Sequence, residues 1–246
     1  MVKSDETLLS IIGYLREVDG AGVTEIANQL DLAKSTVYDH LVTMCEYGFT
    51  VKHGTVYRLG LQFFNYGQYV RNQSEVYDAT KPVVDRLVEA TGEMVWLIGH
   101  ENGRMMYLYG HAGDTDINEN TLIGSWAYMH CHSGGKAILA HLSETEVDHI
   151  IDRHGLPART ENTTTDPDEL RAELEQIRER GYALNLGEDL EGIHAISVPL
   201  LFDERVLGAL AIAGPAHRVT QERCETELSE ELFAARNDIE LNFVYS

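Results

Sequence analysis

The spacing of apolar residues in the first 50 positions constrains the fold of this chain more strongly than any other feature. Three successive stretches repeat with the spacing of one helix face: Leu8, Ile11, Ile12, Leu15 and Val18, then Ile26, Ala27 and Leu30, then Val37, Leu41, Met44 and Cys45. Glycines at 20 and 22 separate the first two stretches, and a turn at 31–33 separates the last two. Because such short helices are unstable alone, the pattern predicts three helices that pack their apolar faces together.

Two short strands are predicted directly after the third helix. They cover 49–52 and 55–59, and His53-Gly54 between them is a turn dipeptide. We expect Thr24 to cap the second helix, because its hydroxyl oxygen can accept hydrogen bonds from free N–H groups at the helix start. Three helices with a tight turn before the third, followed by a two-stranded ribbon, are the order of a winged helix-turn-helix over the first 60 residues.

The third predicted helix carries a polar face opposite its apolar stripe. Short hydroxyls and flat polar rings near a helix N-terminus suit base edges and phosphates in a DNA major groove, and basic side chains on the wing suit the backbone or the minor groove. The candidate DNA-contacting residues are Thr24, Lys34, Ser35, Thr36, Tyr38, Asp39 and His40 on the helices, and Lys52, His53 and Arg58 on the wing. The alternative is a small interaction module with a solvated polar face.

Asp39 is the unusual member of this set, because a carboxylate that faces DNA repels phosphates. A carboxylate can also accept a hydrogen bond from the amino group of a cytosine. Pairing with His40 or Arg16 is the alternative role, and the sequence leaves both roles open.

Residues 61–75 predict an aromatic-rich helix that links the winged helix to the rest of the chain. Phe63, Phe64, Tyr66 and Val70 offer more apolar surface than a linker requires. DNA-reading modules commonly pair so that they read two half-sites. We therefore favour dimerisation through this helix, with simple packing on the first domain as the alternative.

The segment 76–246 predicts an α+β domain, in which helices flank an antiparallel sheet. Asn102-Gly103 between two apolar runs is a strong hairpin signal. The long apolar runs 193–202 and 206–213 predict a second hairpin. Helices are predicted to begin at Ser133, at Ser143 with the capping-box partner Glu146, at Asp166 before Pro167, and at Thr220, and an irregular loop is predicted over 111–121.

Short motifs follow one another in a fixed order along nearly the whole chain. They are Thr24-Glu25-Ile26-Ala27, Lys34-Ser35-Thr36-Val37-Tyr38, Tyr57-Arg58-Leu59-Gly60, Gly134-Gly135-Lys136-Ala137, Arg180-Gly181-Tyr182, Gly192-Ile193, Val198-Pro199 and Ala213-Gly214-Pro215. In this order they resemble the IclR family of transcription regulators. The resemblance implies an N-terminal winged helix that binds double-stranded operator DNA as a homodimer, or within a tetramer. It also implies a C-terminal GAF-like domain that binds a small effector, often a carboxylic acid.

The same resemblance implies where the effector binds. The matching positions hold Asn185, Ala195, Ala211 and Ala213, and the Gly-Lys-Ala segment adds Ser133, Gly134 and Gly135. Met129, Trp126 and Leu97 are further candidates for the lining, but core packing is the favoured role for each of them. Relatives often place a carboxylate, a cysteine and hydroxyls where this chain has Asn185 and three alanines. Because alanines remove polar anchors, we expect a more apolar or roomier pocket, suited to a sugar acid or an aromatic compound.

The glycines before Lys136 have two interpretations. Free N–H groups at a helix start can bind an anion, and here they would be those of Ser133, Gly134 and Gly135. The alternative is that the glycines only allow close packing. A P-loop is excluded, because the Gly-Lys pair lacks the required spacing and Ala137 follows the lysine.

Charge limits the partners of this chain. The sequence has 40 Asp and Glu against 19 Lys and Arg, a net charge of −21, which excludes a nonspecific polyanion binder. Residues 1–70 hold five basic and eight acidic residues, and most of the excess acid lies in 71–246. Molar salt shortens the Debye length to roughly 3 Å and so makes such self-repulsion tolerable. We therefore expect an origin in a halophilic archaeon.

Other features predict a cytoplasmic protein that does not bind membranes. The first six residues lack a basic region followed by an apolar stretch, and no apolar run reaches the roughly 18–20 residues of a spanning helix. The three cysteines, Cys45, Cys131 and Cys224, are scattered and odd in number, which excludes a disulfide framework and suits a reducing compartment.

No motif in the sequence predicts catalysis or a cofactor. The chain lacks a nucleophile elbow, an H-E-x-x-H motif and a dinucleotide fingerprint. His130-Cys131-His132 offers metal ligands, but neighbours on a strand point to opposite faces and no second ligand pair follows, so we expect no metal. We expect a regulator with a DNA-binding domain over 1–60, a linker helix over 61–75 and an effector domain over 76–246. A sensor or adaptor acting through protein–protein contacts is the alternative.

Overall fold

The computed structural model describes residues 2–113, 122–203 and 205–244. The chain divides into two compact units, residues 1–73 and residues 74–246. None of the described helices is both long enough and apolar enough to cross a membrane.

The first unit is a winged helix-turn-helix followed by a further helix. Its elements are α1 (Lys3–Glu17), β1 (Ala21–Gly22), α2 (Val23–Gln29), α3 (Lys34–Glu46), β2 (Thr50–His53), β3 (Val56–Leu59) and α4 (Gln62–Asn72). The three strands form one small antiparallel sheet in the order β1-β3-β2. The core of this unit contains the three predicted apolar stripes except for Val18, and Ile11, Ile26, Val37 and Leu41 are fully buried. Val18 is wrong as a core residue, because α1 ends at Glu17 and Val18 is exposed beyond it.

The expected cap at Thr24 is wrong. Thr24 lies inside the first turn of α2, and Gly22 is the N-cap, with no side-chain hydrogen bond. Gly22 also pairs with Val56 in the sheet, so the chain enters α2 directly from a strand. The two-residue β1 was not predicted, because a strand this short leaves no periodic signal.

The second unit has the predicted α+β architecture. Its elements are α5 (Tyr77–Thr91), β4 (Met94–Glu101), β5 (Arg104–His111), β6 (Trp126–Tyr128), α6 (Ser133–Leu139), α7 (Glu144–His154), α8 (Pro167–Arg180), β7 (Ala183–Leu186), β8 (Ile193–Phe202), β9 (Arg205–Pro215), α9 (Gln221–Arg223), a π-helical turn (Cys224–Leu228) and α10 (Ser229–Val244). The six strands form one antiparallel sheet in the order β6-β5-β4-β9-β8-β7.

The two faces of this sheet bury separate apolar clusters. One cluster joins the sheet to α5 and α10, and it includes Leu97, Ile196 and Leu232. The other joins the sheet to α6, α7 and α8, and it includes Trp96 and Ala211. Because successive strand residues alternate between faces, Leu97 points away from α6. The expected core packing of Leu97 is therefore confirmed, and Leu97 does not line a pocket beside α6.

Most of the local signals in the second unit are confirmed. Asn102 and Gly103 both have positive φ, 52° and 75°, as a tight hairpin turn requires. The capping boxes and caps predicted at Ser143, Asp166 and Thr220 are present. The short strand β7 was not predicted. The predicted loop over 111–121 extends beyond the described residues from position 114 onward.

Candidate functional site

α3 presents a polar face to solvent, as its sequence predicts. Its apolar residues Val37, Leu41 and Met44 are buried against the other helices. The opposite face is accessible: Lys34, Ser35, Tyr38 and Asp39 are exposed, and Thr36 and His40 are half-buried. Thr24 is exposed at the start of α2. This face can reach base edges and phosphates without any rearrangement of the core.

The carboxylate of Asp39 has no hydrogen-bond or ion-pair partner among the described residues, so its pairing with His40 or Arg16 is not seen. Its backbone carbonyl accepts a hydrogen bond from Thr43 Oγ1 at 2.9 Å. An exposed, unpaired acid in the middle of a polar helix face remains available to a donor on DNA.

The wing residues differ in how freely they can move. Lys52 and His53 are exposed on β2, and Lys52 Nζ lies 5.2 Å from the centre of the Tyr57 ring. Arg58 is exposed on β3, but its Nε donates to the backbone carbonyl of Asp19 at 3.1 Å. Arg58 therefore holds the loop after α1 and is the least mobile of the predicted wing contacts.

The aromatic residues of α4 divide into two groups. Phe63 and Tyr66 pack on Phe49, with ring centres 5.0 and 5.6 Å apart. Phe64 and Tyr69 each remain 65% exposed. Simple packing on the first unit therefore accounts for only part of this surface.

The predicted effector residues on strands lie on one face of the second sheet. Asn185, Ala195, Ala213 and Met94 form a cross-strand row, since each pairs with the next in the register. Ala211 belongs to the next row on the same face, where it pairs with Ser197 and Trp96. This is the face that α6 covers.

The glycines at the start of α6 serve close packing. A Cβ on Gly134 would lie 2.2 Å from Ile98 Cδ1, and one on Gly135 would lie 2.3 Å from the backbone oxygen of Met129. Beside them, Ser133 and Ser197 share a buried hydrogen bond of 2.7 Å between their hydroxyls. The packing interpretation of Gly134-Gly135 is thus favoured over an anion site.

Lys136 lies at the centre of a buried charge cluster. Its side chain is completely buried, and its Nζ donates to Glu173 Oε1 at 2.6 Å and to both oxygens of Glu188 at 2.6 and 2.7 Å. Burial raises the pKa of Glu188, and the neighbouring ammonium of Lys136 opposes that rise. The lysine is fully neutralised by protein carboxylates, so it is not a free cation for an anionic effector.

A second polar cluster surrounds Asp189, the residue that follows Glu188 in the sequence. Asp189 Oδ1 lies 3.4 Å from His132 Nε2, 3.2 Å from Arg159 Nε and 3.9 Å from Cys131 Sγ. The hydrogen bond from His132, helped by Arg159, lowers the pKa of Asp189 to about 2. Burial, with the negative charges of Asp189 and Glu188, raises the pKa of the Cys131 thiol to about 12.

Asn185 links the backbone at Cys131 to the backbone at Glu188, and these two segments carry residues of both clusters. Its Nδ2 donates to the carbonyl of Cys131 at 3.0 Å, and its Oδ1 accepts from the backbone N–H of Glu188 at 2.8 Å. The predicted effector contact at Asn185 is therefore already occupied by two backbone partners. A ligand that used this amide would have to displace one of them.

Met129 is buried in the same apolar cluster as Ala195, Ala211 and Ala213, and its backbone lies against Gly135. It also lines a small cleft together with Tyr128, His130, Ile150 and Leu170. Trp126, a further predicted lining residue, is exposed on β6. The structure thus brings Ser133, Asn185, Met129 and the three alanines to the side of the sheet that α6 covers.

Several residues of these clusters were missed by sequence reasoning. Lys136 and Ser197 stand out as polar residues within apolar stretches, and that contrast was a usable signal. Their partners Glu173 and Glu188 lie 37 and 52 positions from Lys136, so no local pattern joins them. The expectation that Cys131 and His132 point to opposite faces of a strand is wrong, because β6 ends at Tyr128 and both side chains lie beside Asp189.

A winged helix-turn-helix joined to an α+β domain with a polar, small-residue face defines the class of ligand-controlled DNA-binding regulators. Two family models match this chain: the IclR helix-turn-helix domain over residues 7–54, and the bacterial transcriptional regulator IclR C-terminal domain over residues 68–241. The chain therefore belongs to the IclR family of transcription regulators.

Individual relatives agree with this assignment over nearly their full length. A probable HTH-type transcriptional regulator, ArcR, from Halobacterium salinarum is 27% identical, over 95% of this chain and 90% of its own. The crystal structure of IclR from Thermotoga maritima superposes with a TM-score of 0.80 and 28% identity, over 98% of this chain and 97% of its own. An IclR homologue from Microbacterium hydrocarbonoxydans, crystallised with 4-hydroxybenzoate, has a TM-score of 0.81 at 21% identity and covers 97% of this chain and all of its own, which shows the shared fold.

Proposed function

We propose that this regulator reads operator DNA with the exposed face of α3 and responds to a small molecule bound by the second unit. Residues 34–40 enter the major groove, and the wing over 49–59 contacts the backbone or the minor groove. The observation that supports this proposal is the polar face of α3, in which Ser35, Tyr38 and Asp39 are exposed above a buried apolar stripe. The regulator acts in the cytoplasm and catalyses no reaction.

The working assembly is a homodimer, or a tetramer built from dimers. Helix-turn-helix proteins commonly read two half-sites with two recognition helices. The exposed residues Leu61, Phe64, Tyr69 and Val70 of the 61–75 linker offer an apolar surface for a second copy of the chain. Effector binding then changes the balance between dimer geometries and so the spacing of the two recognition helices.

The effector is a small carboxylic acid of the sugar-acid or aromatic class, bound by the 76–246 domain. Support comes from the rows of small apolar residues on the sheet face beside α6, which offer few polar anchors. The structural relative crystallised with 4-hydroxybenzoate shows that an aromatic acid binds a protein of this fold. The candidate contacts are those on the sheet face and at the start of α6: Ser133, Gly134, Gly135, Ala195, Ala211 and Ala213, with Asn185 and Met129 at its margins.

DNA reading is tested by fluorescence anisotropy of the full chain on labelled DNA from upstream of its own gene. Because the excess of acid suits molar salt, the titration is run in molar KCl, with a scrambled duplex of the same composition as the control. Saturable binding to the upstream DNA alone supports the proposal. Equal binding to both duplexes would contradict it and favour an adaptor that acts through protein–protein contacts.

Asp39→Ala is expected to change which operator the protein prefers. If the unpaired carboxylate accepts from a cytosine amine, its removal relaxes discrimination at one base pair by about 1–3 kcal/mol. The measurement compares affinities for a set of operators that each carry one base change. A uniform loss of affinity across the set, or no change at all, would show that Asp39 reads no base.

DNA affinity is expected to depend weakly on salt. Each neutralised phosphate contributes about −0.9 to the slope of log K against log salt. Lys34 and Lys52 are the exposed lysines on the candidate surface, and Arg58 is held by Asp19, so a dimer should show a slope of about −4 or shallower. A slope of about −6 or steeper would mean that further cations reach the DNA.

A further inference from the structure

Among the described residues, one group brings three ligand atoms of the kinds that bind transition metals close together. The thiol sulfur of Cys131, the imidazole of His132 and a carboxylate oxygen of Asp189 all lie within 4.8 Å of one another. Cys131 is buried, whereas the side chains of His132 and Asp189 are 14% and 28% exposed. The group is therefore enclosed on one side and open to solvent on the other.

We propose that Cys131, His132 and Asp189 form a three-ligand site for a divalent transition metal, with zinc as the preferred ion. Thiolate, imidazole and carboxylate are the three side-chain ligands that zinc takes in proteins. Tetrahedral zinc with bonds of about 2.0–2.3 Å separates its ligand atoms by about 3.3–3.6 Å. The observed 3.4 Å from His132 Nε2 to Asp189 Oδ1 and 3.9 Å from Cys131 Sγ to the same oxygen need adjustments of only a few tenths of an ångström. The third pair, Cys131 Sγ and the His132 ring nitrogen, lies within 4.8 Å and would close by up to about 1.2 Å around the ion.

The surroundings hold the ligands in place. Tyr107 OH lies 3.4 Å from His132 Nδ1, so it can fix the ring with Nε2 directed at Asp189. Such a contact on the second ring nitrogen is the usual support for a metal-bound histidine. Asn185 bonds the backbone of both ligand-bearing segments, at the Cys131 carbonyl and at the Glu188 N–H. The three ligands are thus positioned before any ion arrives.

The site also has a chemical consequence for the effector, and this step rests on the proposed function. Lys136 is enclosed by Glu173 and Glu188, and Arg159 is paired with Asp189, so these cations are already balanced by carboxylates. A zinc ion with three protein ligands keeps a fourth position for water or another oxygen ligand. An effector carboxylate oxygen can take that position and so bind through a metal–ligand bond, without a free cationic side chain.

The site is tested with Co²⁺ as a spectroscopic substitute for zinc. Full-length protein is washed with chelator, kept reduced without thiols, and titrated with cobalt chloride while its absorbance is recorded. We expect saturation at one ion per chain, visible bands of low-symmetry cobalt and an ultraviolet thiolate-to-cobalt band, all abolished by one equivalent of zinc. Absence of the thiolate band in the unmodified protein overturns the proposal without any variant.

Variants assign the ligands. Cys131→Ser should remove the thiolate band and weaken cobalt binding at least tenfold, and Asp189→Asn should weaken binding but keep the band. Cys224→Ser is the matched control, because Cys224 is equally buried but lies in the π-helical turn away from the group. Loss of the band in the control, or its persistence in Cys131→Ser, would contradict the assignment. These spectra do not involve DNA, so failure of the metal site and failure of DNA reading are distinguished.

Discussion

The Lys136→Met variant is expected to have a free energy of unfolding about 3–5 kcal/mol lower than that of the unmodified protein. Lys136 is fully buried, and its ammonium is the shared partner of Glu173 and Glu188. Methionine fills nearly the same volume, so the loss comes from the carboxylate of Glu188, which is left buried without its cation. Urea unfolding followed by circular dichroism measures the difference in free energy.

The cause of this loss can be separated from poor packing by a second variant and by pH. The double variant Lys136→Met with Glu188→Leu should recover most of the stability, because no unpaired charge then remains buried. The pKa of Glu188 is already raised by burial, and loss of Lys136 raises it further. A carboxyl group whose pKa is raised in the folded state does not destabilise the fold at a pH below its unfolded pKa of about 4.3. As the pH rises above that value, the group destabilises the fold.

The difference in the free energy of unfolding between Lys136→Met and the unmodified protein should therefore decrease as the pH falls from 7 toward about 4.3. A difference below about 1 kcal/mol at pH 7 would mean that the cluster contributes little. A double variant no more stable than the single one would place the loss in packing rather than in charge.

Tyr38→Ala is expected to cause the largest loss of operator affinity among single changes on α3. Tyr38 is 50% exposed on the polar face, so its ring can contact DNA while its loss leaves the apolar core intact. A lost base or phosphate contact costs about 1–3 kcal/mol at each half-site, and a dimer makes the contact twice. The combined loss is about 2–6 kcal/mol, a fall in affinity of roughly 30-fold or more.

Tyr47→Ala is the matched control for this variant. Tyr47 is 69% exposed at the C-terminal end of α3, outside the predicted contact surface. It should leave operator affinity within a few-fold of the unmodified protein, and both variants should melt at nearly the same temperature. Equal losses in the two variants, or no loss in Tyr38→Ala, would count against residues 34–40 as the part that enters the major groove.

The parts of the fold that the sequence predicted well are those determined by local chemistry. Helical spacing at Ile11 and Leu15, the Asn102-Gly103 turn and the cap at Asp166 each depend on residues a few positions apart. Backbone geometry and the burial of one apolar face determine whether these helices, turns and caps form, and the order of residues in the sequence indicates both. β1 and β7 were missed because two and four residues give too little periodicity.

The sites were harder to predict because their members are distant in sequence. Cys131 and His132 meet Asp189 nearly 60 positions later, through the β7–β8 connection. Lys136 depends in the same way on Glu173 and Glu188. A sequence shows that a lysine or a thiol lies in an apolar stretch, but its partner is set by how strands and helices pack. The resemblance to a family indicated a candidate region for the effector site, and the structure showed the charged groups that lie in that region.

Control of this regulator by an effector requires coupling between the small-molecule site and DNA, and linkage allows that coupling to be measured directly. The operator Kd of the full chain is determined by anisotropy in molar KCl, at rising concentrations of 4-hydroxybenzoate, keto acids and sugar acids. We predict that one class shifts the Kd by about 5-fold to 150-fold, and that saturating operator shifts the affinity for that compound by the same factor. Operator binding that no compound in the panel alters, or a shift in only one direction of the linkage, would contradict control of this regulator by such an effector.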